Sequence, residues 1–218
     1  MHPTIAQLTT SLSGQPDCLG VILFGSWARG TNRYDSDIDL MVFREAGFTK
    51  ELLTFDGVTV EMLNTTPLAA QQYWLGHMDA AADFWKVAQV LYEKDDQIAG
   101  VKRIVEAELS KGRPPVSGQE YALLEFDSYD QLRAIEGLSE SDPATACLLL
   151  GERIPRLLTD YFALSQQWKP APKQLLGRLE ELNPSLHALA VSFYGEGQSL
   201  LDKAVTARMM TDAVFGKK

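Results

Sequence analysis

Two short polar motifs carry the residue types in this chain that could do chemistry. The first, Gly25-Ser26, closes the apolar run 19–24, which is typical of a buried β-strand. Glycine lets the backbone approach a phosphate closely, and a serine at the start of a helix offers a hydroxyl and an amide to an anion. This motif therefore predicts a phosphate-binding turn.

The second motif is a pair of aspartates, Asp37 and Asp39, which begins eleven residues after Ser26. If residues 37–43 form a strand, both carboxylates point to one face, roughly 6.5–7 Å apart along the chain, while Ile38 points into the opposite layer. Like charges so placed repel unless a cation lies between them. Mg²⁺ is usually held by one or two carboxylates together with substrate phosphates, so the two motifs predict a phosphate site facing a Mg²⁺ site.

Residues 25–30, with the letters GSWARG, and residues 36–40, with SDIDL, together resemble the signature of the DNA polymerase β-like nucleotidyltransferase superfamily. The resemblance is strongest to the minimal and aminoglycoside-modifying branches, and outside these residues it is one of architecture. It implies a small mixed sheet with flanking helices, a nucleoside triphosphate bound over Gly25 and Ser26, and two Mg²⁺ ions held by the paired carboxylates.

The superfamily commonly has a third carboxylate on a neighbouring strand, and Glu61 is the candidate. Residues 52–55 and 58–63 favour a hairpin with Asp56-Gly57 as its two-residue turn. A charged residue in a mostly apolar strand needs a partner or a function. Glu61 could be the third metal ligand or the base that takes a proton from the attacking hydroxyl. The superfamily more often has Asp here, and an exposed edge-strand glutamate is the alternative.

Two arginines flank the motifs and could contact triphosphate oxygens. Arg29 follows Gly25 by four residues on a short predicted helix, and Arg33 lies in the loop that leads to the aspartates. In the superfamily, the arginine that corresponds to Arg29 more often braces the fold. Phosphate binding and bracing both remain open for Arg29.

A segment rich in proline and glycine, residues 111–118, breaks the helical pattern and predicts a domain boundary. We expect an α/β (α+β) nucleotidyltransferase domain with a small mixed sheet at 1–112, followed by an all-α helix bundle at 113–218. Further helices of the first domain are predicted at 3–13, 66–76, 79–87 and 97–110, with a short strand within 87–92. Helices of the bundle are predicted at 119–136, 143–167, 172–182, 184–194 and 198–215.

The first predicted helix of the bundle carries four carboxylates: Glu120, Glu125, Asp127 and Asp130. A solvated helix face is the usual interpretation of such a series. In aminoglycoside nucleotidyltransferases, however, a helical C-terminal domain of similar size closes over the nucleotide domain and supplies part of the acceptor pocket. The resemblance therefore implies an acidic acceptor pocket in which one of these residues, instead of Glu61, could be the general base.

Composition limits the partners. The chain has 218 residues, of which 20 are basic and 29 acidic, for a net charge of −9. This balance disfavours a long nucleic acid and favours a cationic substrate. No signal peptide or membrane span is visible, and Cys18 and Cys147 both lie in apolar segments, so we expect a cytoplasmic protein with reduced core cysteines and no membrane partner. An apolar patch on the bundle could pair two copies as a homodimer.

The expected function is therefore Mg²⁺-dependent transfer of a nucleoside monophosphate to a hydroxyl of a small acceptor, such as an aminoglycoside-type antibiotic, with release of pyrophosphate. The resemblance alone implies that the nucleotide is ATP. A role in antibiotic resistance is likewise implied only by the resemblance. One alternative is modification of a protein or a tRNA, as in some toxin–antitoxin systems. Another is a nucleotide-binding protein without catalysis.

Overall fold

Five short strands pair into one mixed sheet in the computed structural model, which describes residues 2–216. The strands are β1 (Cys18–Phe24), β2 (Ile38–Arg44), β3 (Thr49–Phe55), β4 (Val58–Thr65) and β5 (Gln89–Glu93). Their order across the sheet is β3-β4-β2-β1-β5. The neighbours β2 and β4 run parallel, whereas the other pairs are antiparallel, so the prediction of a small mixed sheet is confirmed.

The hairpin between β3 and β4 forms as the sequence predicts. Asp56 and Gly57 have φ angles of 51° and 77°, and a two-residue turn with positive φ at both positions matches the twist of the strands that flank it. This turn aligns Phe55 with Val58. It thereby fixes the residue of β3 that lies opposite each residue of β4.

Helices cover both faces of the sheet. Helix α1 (Pro3–Ser13) packs on one face, where Ile38, Leu40 and Val42 of β2 are fully buried. The short helix α2 (Gly25–Arg29) directly follows β1. Helices α3 (Pro67–Gly76), α4 (Met78–Val87) and α5 (Gln97–Leu109) pack on the other face, against Met41 and Phe43. Alternate residues of β2 thus enter two separate cores, as the period of a strand requires.

The chain divides into two compact units, the first ending at Lys111 and the second beginning at Gly112. The second unit is helical, as predicted, and includes a 3₁₀ turn at Pro172–Gln174. Its helices are α6 (Gly118–Leu138), α7 (Pro143–Leu164), α8 (Leu175–Leu182), α9 (Pro184–Tyr194) and α10 (Leu200–Phe215). Leu157, Leu158 and Phe162 of α7 are buried in its core.

One expectation about the cysteines is wrong. Cys18 is buried at the start of β1, but Cys147 is exposed. The buried stripe of α7 runs through Ala146, Leu150 and Ile154, at the three-to-four-residue spacing of a helix face. Cys147 lies about 60° of helix rotation from the middle of that stripe, in the second turn of α7, and faces solvent there.

No helix within residues 2–216 is long and apolar enough to cross a membrane.

Candidate active site

The glycine of the first motif and an aspartate of the second are in direct contact. Phe24, the last residue of β1, pairs with Asp39 of β2, which brings Gly25 against the Asp39 side chain. A Cβ built on Gly25 would lie 1.8 Å from Oδ2 of Asp39, and Gly25 has a φ of +66°. The sequence predicts a phosphate in the space beside Gly25, whereas in the structure the carboxylate of Asp39 fills that space. Both the backbone angle and this space require glycine here.

The two aspartates lie at the start of β2. Asp37 immediately precedes the strand, Asp39 is its second residue, and both are half-buried. Ile38, between them, is fully buried in the core beneath α1. The aspartates therefore alternate with residues that point into the sheet's other face, as the predicted spacing requires.

Glu61 lies beside Asp39. The parallel register of β2 and β4 pairs these two residues, and paired residues of adjacent strands point to the same face. The side chain of Glu61 is 31% exposed, and its Oε1 lies 2.8 Å from Nζ of Lys50 on the edge strand β3. A charged residue at this position was expected to need a partner or a function, and Lys50 is the partner.

The donor set fits a Mg²⁺ ion that is held in part by a substrate. Within residues 2–216, no three or more His, Cys, Asp or Glu side chains are grouped so that they could hold a metal ion, so Asp37, Asp39 and Glu61 are not a preformed three-ligand cage. Mg²⁺ is commonly bound by one or two carboxylates, with substrate phosphates and waters as the remaining ligands. The aspartate pair supplies those carboxylates next to the glycine turn.

Arg29 is engaged in an ion pair inside the N-terminal unit. Its Nη2 lies 2.6 Å from Oδ2 of Asp83 on α4, and the two side chains are only 17% and 16% exposed. The C-terminal end of α2 is also held from β5, where Nε2 of Gln89 donates to the carbonyl oxygen of Ala28 at 2.8 Å. These contacts support the bracing role that the sequence leaves open for Arg29. The sequence offers no signal that would identify Asp83 as its partner.

The loop between α2 and the aspartates has its own internal contacts. Arg33 donates from Nε and Nη2 to the carboxylate of Asp35, at 3.1 and 2.8 Å, and its side chain is 74% exposed. The hydrogen bond from Arg33 lowers the pKa of the Asp35 carboxyl. The indole Nε1 of Trp27 donates to the carbonyl oxygen of Ser36 at 3.3 Å, which ties α2 to the residue just before Asp37. Trp27 thus helps to position the start of the aspartate motif, and the sequence gives no signal for this contact.

The acidic series of α6 is split between two sides of its helix. At about 100° per residue, Glu120, Asp127 and Asp130 fall on one side and Glu125 on the other. Asp130 accepts a hydrogen bond from Nη2 of Arg133 at 2.9 Å. Glu125 lines an open groove of about 710 Å³, together with Ala122, Phe126, Tyr129, Arg133, Arg208 and Asp212.

A tyrosine and a carboxylate are joined within this groove. The hydroxyl of Tyr129 donates to Oδ1 of Asp212 at 2.6 Å. Burial, reinforced by this hydrogen bond, raises the pKa of Tyr129. Tyr129 is therefore a neutral hydrogen-bond donor at physiological pH and links α6 to α10.

Comparison with known proteins identifies the first unit. Residues 6–97 match the family model described as "Polymerase beta, Nucleotidyltransferase", which confirms the resemblance drawn from the two motifs. The N-terminal unit is therefore a nucleotidyltransferase domain of the polymerase β type. Domains of this class generally use a nucleoside triphosphate and a divalent metal ion.

One solved structure extends the likeness to nearly the whole chain at the level of the fold. The crystal structure of a nucleotidyltransferase-like protein from Exiguobacterium sibiricum 255-15 is 12% identical, with a TM-score of 0.52, and the match covers 99% of this chain and 74% of that one. A toxin–antitoxin crystal structure with AMP-PNP is 13% identical, with a TM-score of 0.32, and the match covers 50% of this chain and 89% of that one. No curated protein matches the chain.

Proposed function

We propose that this protein is a Mg²⁺-dependent nucleotidyltransferase that moves AMP from ATP to a hydroxyl of a small acceptor and releases pyrophosphate. The observation that carries the proposal is the contact between Gly25 and Asp39, which places the glycine turn directly against a carboxylate of the aspartate pair. Phosphoryl and nucleotidyl transfer depend mainly on positioning and on neutralising charge. A turn held against Asp39, with Asp37 two residues away, provides both.

Each motif then has a role. Asp37 and Asp39 hold the metal ion, while Ser26 and the adjacent backbone amides bind the β- and γ-phosphates. The bound Mg²⁺ would neutralise charge on the phosphates and on the departing pyrophosphate. Arg29 acts through its brace to Asp83, which keeps α2 in place behind Ser26.

The proton of the attacking hydroxyl passes to a carboxylate. Glu61 is the first candidate because it lies next to Asp39 on the neighbouring strand, and it is also the candidate third metal ligand. The carboxylates of α6 are the other candidates for the base: Glu120, Glu125, Asp127 and Asp130. A general base must come within hydrogen-bond reach of the attacking hydroxyl. Identifying the acceptor will therefore show which of these carboxylates can act as the base.

The acceptor we favour is a small polycation of the aminoglycoside type. The net charge of −9 supports this class, because an acidic protein attracts cations and repels nucleic acid. Protein and tRNA acceptors are the alternatives that the test must include.

The test is pyrophosphate release from each nucleoside triphosphate with Mg²⁺, across aminoglycosides, other small hydroxylated antibiotics, tRNA and proteins. The Asp37→Asn and Asp39→Asn variants are the controls. Release that depends on one small cationic acceptor and disappears in both variants is the expected result. Release that survives in either variant would refute the metal assignment, and ATP binding without release to any acceptor would favour a protein that binds nucleotides without catalysis.

A further inference from the structure

A lysine and two carboxylates on three neighbouring strands point to the same face of the sheet. Asp39 of β2 pairs with Glu61 of β4, and Glu61 pairs with Leu52 of β3. Lys50 is two residues from Leu52 along β3 and therefore points to the same face of the sheet. From this diagonal position its Nζ reaches Oε1 of Glu61 at 2.8 Å.

The ion pair occupies one carboxylate oxygen of Glu61. Lys50 lies on the edge strand β3, on the side of β4 away from β2, and its Nζ contacts Oε1 of Glu61. An oxygen that already accepts from an ammonium group is a poorer ligand for a cation, because the metal must displace the ammonium first. This arrangement agrees with the absence of a three-carboxylate metal cluster among residues 2–216.

We propose that Lys50 is a positioning residue that holds Glu61 off the metal site. Asp37 and Asp39 then supply the protein ligands for the first divalent ion, and Glu61 joins the site only when Lys50 releases it. The inference rests on the proposed function, because it assumes that the aspartates bind the metal. It adds a residue that controls when the third carboxylate becomes available.

The experiment measures Mn²⁺ binding to the full chain without nucleotide, by loss of the free-Mn²⁺ electron spin resonance signal. We expect Lys50→Met to bind Mn²⁺ about two- to fivefold more tightly than the wild type, a range set by the strength of partly exposed ion pairs. Lys50→Arg retains the ion pair and should behave as the wild type. Lys102→Met is the matched control, since Lys102 pairs with Glu106 on α5 at 3.7 Å and its loss changes the net charge equally.

A Glu61→Gln background separates an effect through Glu61 from simple repulsion. If Lys50 acts through Glu61, the gain from Lys50→Met disappears when Glu61 is already Gln. An equal gain in both backgrounds, or a gain no larger than that of Lys102→Met, would overturn the inference and leave the proposed function standing. If Asp37→Asn and Asp39→Asn bind Mn²⁺ as well as the wild type does, the proposed function fails, and the role of Lys50 fails with it.

Discussion

Replacing Gly25 with alanine tests whether the contact between the turn and the aspartate is essential. The new methyl group would be placed 1.8 Å from Oδ2 of Asp39, whereas ordinary van der Waals contact begins at 3.4 Å. The Asp39 carboxylate or the turn must therefore move. The substitution also forces a side chain into a backbone conformation with a φ of +66°.

The backbone strain lowers the stability of the fold, whereas the collision with Asp39 lowers the catalytic rate. A left-handed backbone at a non-glycine residue costs about 1–2 kcal/mol of folding free energy. Restoring contact distance requires a shift of roughly 1.5 Å at the carboxylate, and a misplacement of about 1 Å in a catalytic arrangement can lower the rate about 100-fold. We therefore expect a moderate loss of stability and a loss of at least about 100-fold in kcat/KM.

Gly30 provides the matched control. It ends α2 with a φ of +71°, and a Cβ there would have nothing within 4 Å. Gly30→Ala thus carries the backbone strain without the collision. Melting temperature, ATP binding with Mg²⁺ by calorimetry, and pyrophosphate release should be measured for both variants. A Gly25→Ala enzyme whose kcat/KM stays within about threefold of that of Gly30→Ala would refute the argument.

Three further predictions concern contacts around the site and in the helical unit. Arg29→Met should lower stability by about 1–3 kcal/mol because it leaves Asp83 half-buried and unpaired, and a denaturant-melt cycle with Asp83→Asn checks the coupling. Trp27→Phe removes one hydrogen bond beside the aspartates and should cost about 1 kcal/mol while weakening Mn²⁺ binding, with unchanged Mn²⁺ affinity as the contrary result. Hydrogen bonds from Thr145 lower the pKa of the Asp142 carboxyl. The stabilisation that Asp142 gives to α7 is therefore fully present above the ordinary Asp pKa of about 4. It is lost as the pH falls through the lowered pKa of the folded state. Melts from pH 6 to pH 2 should show a smaller acid-induced loss in Asp142→Asn, and an unchanged loss would contradict this.

The elements that local sequence encodes were predictable. The strand before Gly25, the Asp56-Gly57 hairpin and the helices of the second unit follow from apolar periodicity and turn chemistry, which act over a few residues. The aspartate motif was found in the same way, because its spacing alone determines the shared face.

The partners of the candidate site residues were not predictable in the same way. Asp83 is 54 residues from Arg29, and only the packing of α4 brings them together. The contact between Gly25 and Asp39 depends on the register of β1 against β2, which neither motif specifies. Lys50 is the exception, since the two-residue turn fixes the hairpin register and places Lys50 diagonally opposite Glu61. The sequence therefore contains the signal for this pair, in the Asp56-Gly57 turn and the spacing of Lys50 and Glu61 from it.

The strand order gives the proposed reaction a direction. Asp39 lies on β2, between β1, which leads into Gly25 and Ser26, and β4, which carries Glu61. A triphosphate bound over the turn would have its leaving pyrophosphate on the β1 side of the aspartates. An in-line displacement requires the attacking and leaving oxygens on opposite sides of the phosphorus. The acceptor hydroxyl would therefore approach from the β4 side, where Glu61 could receive its proton and where Lys50 would control that glutamate.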